Sequence, residues 1–354
     1  LYSFKTDYEQ NFKKGKLGLG GKISFVNTDN DFKRYNVVSN VKELDTLRSN
    51  KFFYKENINA LYVNYNRALK GFIVQAGLRA EYTNLKGTST GQKLDNGLYA
   101  PYDSTFIRNY IDFFPSVAIT FNKNPKSQWG ASYSRRIDRP AYQDLNPFEF
   151  KLDEYTYMKG NTNLRPQYTN SIGITNTYKF KLNTRLNYSH VKDVFAQLID
   201  TAEVSKSFMS KQNLATQDVF SLNISYPFSY KKFTAFFSGT SNYSIYKADF
   251  GPGREVNLDV FSYNFYMQNS YKIGKTWTAE LTGFYTSPSI WQGTFESIGM
   301  GGIDIGVQKT VLKGKGNIKA VYTDVLNTMS WGGTSNFAGQ YVKVAGSWES
   351  QQFR

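Results

Sequence analysis

Side chains able to do acid–base chemistry near neutral pH are scarce in this chain, which has one His and no Cys in 354 residues. His190 lies beside Ser189 and close to Asp193, so a nucleophile, a base and a carboxylate are all nearby. On a strand, however, side chains one or three residues apart point to opposite faces. Ser189 and Asp193 both point away from His190 on that pattern, and no triad forms from local residues. His190 reads instead as a rim or lumen histidine. Metal chemistry is no better supplied. Asp29-Asn30-Asp31 and Asp153-Glu154 offer carboxylates, but calcium takes roughly 6–8 oxygens and neither cluster has a full spaced set. Gly299-Met300-Gly301-Gly302 is followed by no helix and no Lys, both of which a phosphate-cradling loop requires. Its glycines fit a tight passage into a strand at 303–311. Absence of Cys excludes a disulfide scaffold and a thiolate metal site. The expectation is a chain that is not an enzyme, with no catalytic residue, cofactor or metal.

The elements that would position any site are strands. Aromatic residues make up 17% of the chain, yet its mean hydropathy is −0.50 and no apolar run reaches the length of a membrane helix. A polar chain rich in Tyr and Phe fits a soluble all-β protein or a membrane barrel, whose polar lumen offsets its apolar outside. Alternation favours the barrel. Phe72, Val74, Ala76, Leu78, Ala80 and Tyr82 alternate with Gln75, Gly77, Arg79, Glu81 and Thr83. Phe261, Tyr263, Phe265, Met267 and Tyr271, then Trp277, Ala279, Leu281 and Gly283, alternate with residues that include Gln268 and Glu280. Strands of about 9–11 residues with one apolar face are what a tilted barrel strand needs. Phe72, Val74, Leu78, Phe265, Met267 and Leu281 are expected to face lipid. Gln75, Arg79, Glu81, Gln268 and Glu280 are expected to face the lumen. On that assignment Leu281→Arg should impair insertion, and Glu280→Arg should be tolerated much better.

Turn signals set the topology. Lys14-Gly15-Lys16, Lys70-Gly71, Asn122-Lys123-Asn124-Pro125, Phe180-Lys181-Leu182-Asn183, Tyr230-Lys231-Lys232, Ile273-Gly274-Lys275 and Lys313-Gly314-Lys315-Gly316 recur roughly 40–57 residues apart. That interval holds two strands and one long loop, the alternation of short periplasmic turns with long extracellular loops that such barrels show. With a last strand over 341–354, the spacing predicts an all-antiparallel meander of about 15 strands. A soluble propeller would need four short strands per repeat and a shared signature, and neither is present. The count is odd where bacterial barrels are even, and the chain opens on Leu1 without Met and closes within a strand. Further strands are therefore expected before Leu1. Net charge is +15, but it is spread along the turns instead of gathered on one face as a nucleic-acid site requires. Lys in or beside all seven turns is either solvated or meets acidic lipid headgroups or an acidic periplasmic partner.

One segment stands apart. Tyr133-Ser134-Arg135-Arg136-Ile137-Asp138-Arg139-Pro140 leads to Tyr142 and Asp144-Leu145-Asn146-Pro147-Phe148, then through Tyr157 to Gly160-Asn161-Thr162-Asn163-Leu164-Arg165-Pro166-Gln167. It resembles the signature of TonB-dependent-receptor-like outer-membrane barrels, in which Tyr-Ser-x-Arg-Ile is followed by Arg-Pro, Leu-Asn-Pro-Phe and Gly-Asn-Pro-x-Leu-x-Pro-Glu. Thr162 and Gln167 depart from the usual Pro and Glu. Gly77–Thr83 and Phe113-Phe114-Pro115-Ser116 are similar to the family's strands as well. The resemblance implies a 22-stranded barrel of the cell outer membrane, with residues 1–354 as the C-terminal barrel portion. About seven strands and an N-terminal plug inside the lumen would precede it. It implies binding and import of an extracellular nutrient or siderophore, with energy from TonB. The alternative is a non-transporting barrel that scaffolds an outer-membrane complex. Implied partners are outer-membrane lipid, the plug, TonB and other outer-membrane or surface lipoprotein subunits, and no nucleic acid. Arg136, Asp138, Arg139, Tyr142, Asp144, Asn146, Tyr157, Asn161 and Arg165 are the candidates for the extracellular mouth and ligand access. Tyr142, Phe148, Phe150, Tyr155 and Tyr157 can bury enough apolar area to order that segment, which should shape the mouth more than do chemistry.

Overall fold

In the computed structural model the described residues are 1–95, 98–152, 156–203, 206–249, 255–291, 295–337 and 340–354. They form a sheet of 17 strands and a separate sheet of four. Two short members of the large sheet, Glu149–Lys151 and Thr156–Lys159, belong to an excursion from it. The other fifteen make the wall: Tyr2–Phe12, Gly15–Val38, Val41–Leu69, Phe72–Asp95, Leu98–Phe121, Ser127–Asp138, Gln167–Tyr178, Leu182–Glu203, Lys206–Tyr230, Phe233–Asp249, Glu255–Ile273, Trp277–Thr286, Met300–Val311, Gly316–Thr323 and Gln352–Phe353. Each pairs antiparallel with the next in the chain. The expected meander is present.

Register carries the alternation around the wall. Ala76, Val117, Tyr133, Ile172, Tyr188, Phe220, Tyr243 and Phe261 are successive cross-strand partners across eight strands. Most of this row is solvent-exposed, as Ile172 and Phe261 are at 56% and 63%, which suits a surface that lipid covers. One residue away on each strand runs a row of opposite parity: Asn66, Gln75, Ala118, Ser132, Gly173, Asn187, Ser221, Asn242 and Ser262. Because paired residues share a face, a one-residue slip anywhere would exchange the two rows.

Several strands far exceed the bilayer. Val41–Leu69 has 29 residues and its neighbours Gly15–Val38 and Phe72–Asp95 have 24 each. Segments expected to be long loops here continue as hairpin. The first closes at Ser39-Asn40, both at positive φ of 50° and 65°, the geometry that matches strand twist in two-residue hairpins. The expected last strand over 341–354 is two pieces. Gln340–Ser347 pairs with Ser330–Phe337 in the separate sheet, and Gln352–Phe353 alone returns to the wall. Asp324 lies at the break. It is fully buried, and its carboxylate accepts Ser350 Oγ at 2.5 Å and the amides of Thr328 and Met329 at 3.0 and 3.1 Å. Ser350 is thereby held out of the ladder.

Candidate functional site

The excursion between the strands ending at Asp138 and starting at Gln167 packs into one of the buried apolar clusters of the described residues. It begins with a 3-10 turn, Tyr142–Leu145. Leu145 and Leu164 are 1% and 0% exposed, and join Phe52, Tyr54 and Leu85 in one apolar cluster with Phe106, Tyr110, Tyr142 and Phe195 around it. The wall residues of that cluster come from the long strands, so the extra length gives the excursion a surface to lie on. Of the expected aromatic contacts, Tyr142 packs 6.2 Å from Tyr54, Phe148 and Phe150 lie 5.8 and 5.3 Å from Phe32, and Tyr157 lies 5.6 Å from Phe208. Tyr155 lies outside the described residues, as do Asp153 and Glu154.

Polar side chains hold it from both sides. Arg139 donates to Glu81 Oε2 at 2.7 Å, Thr83 Oγ1 at 3.0 Å and Tyr110 Oη at 3.3 Å, and stands 3.9 Å from Glu56 Oε1. That Glu56 oxygen is buried without a hydrogen-bond partner. Burial pushes the Glu56 carboxyl above the usual carboxylate range, and the Arg139 charge offsets this only in part. Asn146 donates to Asn50 Oδ1 and accepts from Ser89 Oγ, each at 3.0 Å. Its carbonyl accepts the Gly160 amide at 2.9 Å, and a Cβ at Gly160 would sit 2.2 Å from that carbonyl. Only glycine permits this approach. On the opposite side Asp144 pairs with Lys211 at 2.9 Å, Asn161 donates to the Lys211 carbonyl at 3.0 Å, and Arg165 pairs with Asp193 at 2.8 Å. Asn213 accepts the Arg165 amide at 2.7 Å, and Thr156–Lys159 runs parallel to residues 207–209. The excursion thus ties the wall over 41–121 to the wall over 182–230. Seven of the nine mouth candidates make these contacts; Arg136 and Asp138 stay on the wall. Asp138 accepts from Gln167 at 3.2 Å.

Two adjoining cavities border the excursion. One, of about 480 Å³, is lined by Arg34, Arg48, Tyr99, Tyr102, Phe148, Phe150, Tyr157 and others; the second, of about 300 Å³, by Asn30, Asn50, Tyr142, Asp144, Asn146, Gln197 and others. Phe32, Phe148, Phe150 and Lys159 line both. A third concavity of about 810 Å³ is lined by polar-row residues, among them Asn66, Gln75, Ser132 and Arg136, together with Lys5, Asp7 and Arg185. Leu78 belongs to a separate apolar surface with Leu19, Leu61 and Val63. Arg79 bonds Glu81 at 2.5 Å and lies over Tyr62, Gln268 accepts from Tyr266 at 3.5 Å, and Glu280 pairs with Lys319 at 2.5 Å. Glu56, Tyr110, Lys211 and Asn213 were not among the sequence candidates. They sit on strands distant in sequence, and no local pattern marks them.

The other sequence candidates for chemistry stay apart. His190 Nδ1 meets Asp218 Oδ1 at 2.8 Å across the strand pair, and Ser189 bonds Ser171. Asp193 sits at a bulge with φ of 58°. Asp29 to Asp31 lie within a strand, where Asp31 pairs with Lys33 at 3.0 Å. Among the described residues no three His, Cys, Asp or Glu gather as a metal site.

The fold has many solved counterparts. Fiu, the ferric-catecholate import receptor of E. coli K12, superposes with a TM-score of 0.66 at 13% identity, over 99% of this chain and 53% of its own. FyuA, the ferric yersiniabactin uptake receptor of Yersinia pestis, gives 0.63 at 9% identity, over 97% and 51%. PiuA, a siderophore receptor of Acinetobacter baumannii, gives 0.63 at 11%, over 99% and 54%. The chain therefore spans about half the length of these structures. No curated protein matches it in sequence. The model of the outer membrane protein beta-barrel family matches residues 1–354. With an apolar outer row, a polar row behind it and that match over its whole length, the chain belongs to the outer membrane protein beta-barrel family.

Proposed function

We propose that the chain is the C-terminal barrel portion of an outer-membrane receptor that binds an extracellular nutrient or siderophore and imports it with energy from TonB. The supporting observation is the folded-in excursion, which joins two sides of the wall and borders cavities of about 480 and 300 Å³. Pockets that hold small ligands have this size and mix of aromatic and polar lining. On this reading the polar row, with Gln75, Arg79, Glu81, Gln268 and Glu280, faces the lumen, and a plug fills the remainder. The mouth candidates shape ligand access through the excursion; none acts as a catalyst. The test is uptake of labelled ferric siderophores and small nutrients by cells with and without the gene for the full-length protein. Gene-dependent uptake that stops when TonB is deleted supports transport. A gene-dependent uptake that persists without TonB overturns the energised mechanism.

A scaffold that transports nothing is favoured by one observation. Loop strands Ser330–Phe337 and Gln340–Ser347 leave Trp331, Tyr341 and Trp348 45%, 66% and 44% exposed. A stoichiometric outer-membrane or surface lipoprotein partner, purified with the full-length protein and lost on replacing these three by Ser, would support that reading if no uptake is found.

A further inference from the structure

We infer that the ring of short turns is a binding surface for anionic phospholipid headgroups in the periplasmic leaflet. The seven segments 12–16, 67–72, 121–127, 178–182, 230–233, 271–277 and 309–316 hold sixteen of the 43 Lys+Arg and none of the 28 Asp+Glu. Outside them the chain is nearly neutral, 27 against 28. Essentially the whole excess charge of this chain lies on one rim.

The structure adds three observations. All sixteen except Arg67 are exposed, and among the described residues none forms an ion pair. Their charge is left for something outside the chain. The ammonium groups also sit beside aromatic rings that end the apolar face. Lys13 lies 5.3 Å from the Phe12 ring centre, Lys179 5.1 Å from Tyr178, Lys231 5.2 Å from Tyr230 and Lys309 4.9 Å from Trp277. Such rings occupy the level of the headgroups, so the amines stand at phosphate height. Finally, Lys309 is the direct cross-strand partner of Trp277 and shares the outward parity of Ile305 and Val307. It is a lysine on the lipid side, whose stem can lie along hydrocarbon while its head reaches the interface.

An acidic protein partner would be met by one patch. Charge distributed over all seven turns, each only a few residues long and level with the aromatic belt, fits a partner that surrounds the barrel. A phosphodiester without a compensating amine is the ligand this arrangement selects, at roughly fivefold per lysine in contact.

The protein carries its own probes. Trp129 and Trp277 lie at the rim and are 51% and 44% exposed. In full-length protein retaining only these tryptophans, quenching is compared in phosphatidylcholine vesicles doped with brominated phosphatidylglycerol or brominated phosphatidylcholine. Heat-modifiable gel migration checks folding. We expect at least threefold stronger quenching by brominated phosphatidylglycerol, falling towards unity in 1 M salt, where screening reaches about 3 Å. Lys272, Lys275, Lys309 and Lys313→Gln together should remove the preference near Trp277, and the same four to Arg should keep it. Should the Gln variant not fold, the salt series on the parent protein decides. Equal quenching by the two lipids overturns the inference, and so does equal quenching accompanied by low-salt binding of polyglutamate, which would assign the rim to an acidic polypeptide.

Discussion

Leu145 and Leu164 show how much of the excursion's order rests on single side chains. Each is essentially without solvent contact and packs on Phe52, Tyr54 and Leu85. Leu164→Ala leaves a cavity between excursion and wall, which costs about 2–5 kcal/mol. Amide exchange over 139–166 should accelerate by more than tenfold in that variant while the wall strands keep their protection. Glu56 offers a test of opposite sign. Its folded-state pKa is raised, chiefly by burial, so its contribution is fullest at low pH and is lost as pH rises through the folded value. Glu56→Gln should therefore slow exchange of the excursion at pH 7 and leave it little changed at acid pH. A variant that loosens the excursion at pH 7 would show that Arg139 needs this carboxylate charged. Only part of this network was legible in the sequence. Arg139, Asp144 and Arg165 lie in the segment that carries the family resemblance and were candidates for that reason, and parity put Glu81 on the polar face. Glu56 and Tyr110 meet Arg139 through register between strands far apart in the chain, and nothing local encodes that.

At the scale of elements, alternation marks a strand only where its two faces meet different media. Phe72 to Tyr82 alternates cleanly, as a strand does when one face meets lipid and the other does not. The same strand beyond Leu85 packs against the excursion on one face and meets water on the other. There Ser89 and Leu85 are both buried, the apolar–polar rhythm fades, and the sequence suggests loop where the structure continues the ladder. Gln340–Ser347 departs from the expected wall strand for a related reason, since a β-rich stretch looks alike whether it joins the wall or a loop sheet. Where the rhythm is clear, its consequence can be measured. Leu281 pairs with Asn269 and Ile305 on the outer face and is 37% exposed. Leu281→Arg should lower folding yield in lipid vesicles by an amount consistent with about 2–4 kcal/mol at mid-bilayer. Glu280→Arg is a poorer control than the sequence indicated, because Lys319 lies 2.5 Å from the carboxylate and the new cation would face it. Glu280→Gln is the better comparison and should insert nearly as well as the parent. Equal yields for Leu281→Arg and Glu280→Gln would mean that the two faces are exchanged.

For the whole molecule, the excursion works as a tie between two stretches of the wall. One side is fastened by Arg139 and Asn146 to the wall over 41–121, the other by Asp144, Asn161 and Arg165 to the wall over 182–230. Each fastening is a few hydrogen bonds or a half-buried ion pair. Removing one charge of such a pair leaves its partner uncompensated, at a cost of up to about 3–5 kcal/mol where burial is deep. The wall itself has antiparallel ladders through every neighbouring pair of strands and does not depend on these contacts. Arg139→Ala with Asp144→Ala should therefore release the tie while assembly proceeds. This chain has no Cys of its own to compete with an introduced reporter. Ser134 lies beside Arg136 in the concavity of about 810 Å³, below the excursion and on the polar face. A Ser134→Cys reporter in the full-length protein on intact cells should react slowly with a bulky impermeant maleimide added outside. The double variant should raise that rate at least tenfold, with heat-modifiable migration unchanged. Failure to assemble would make the excursion part of the folding core. An unchanged rate in an assembled barrel would mean that something other than this segment closes the mouth.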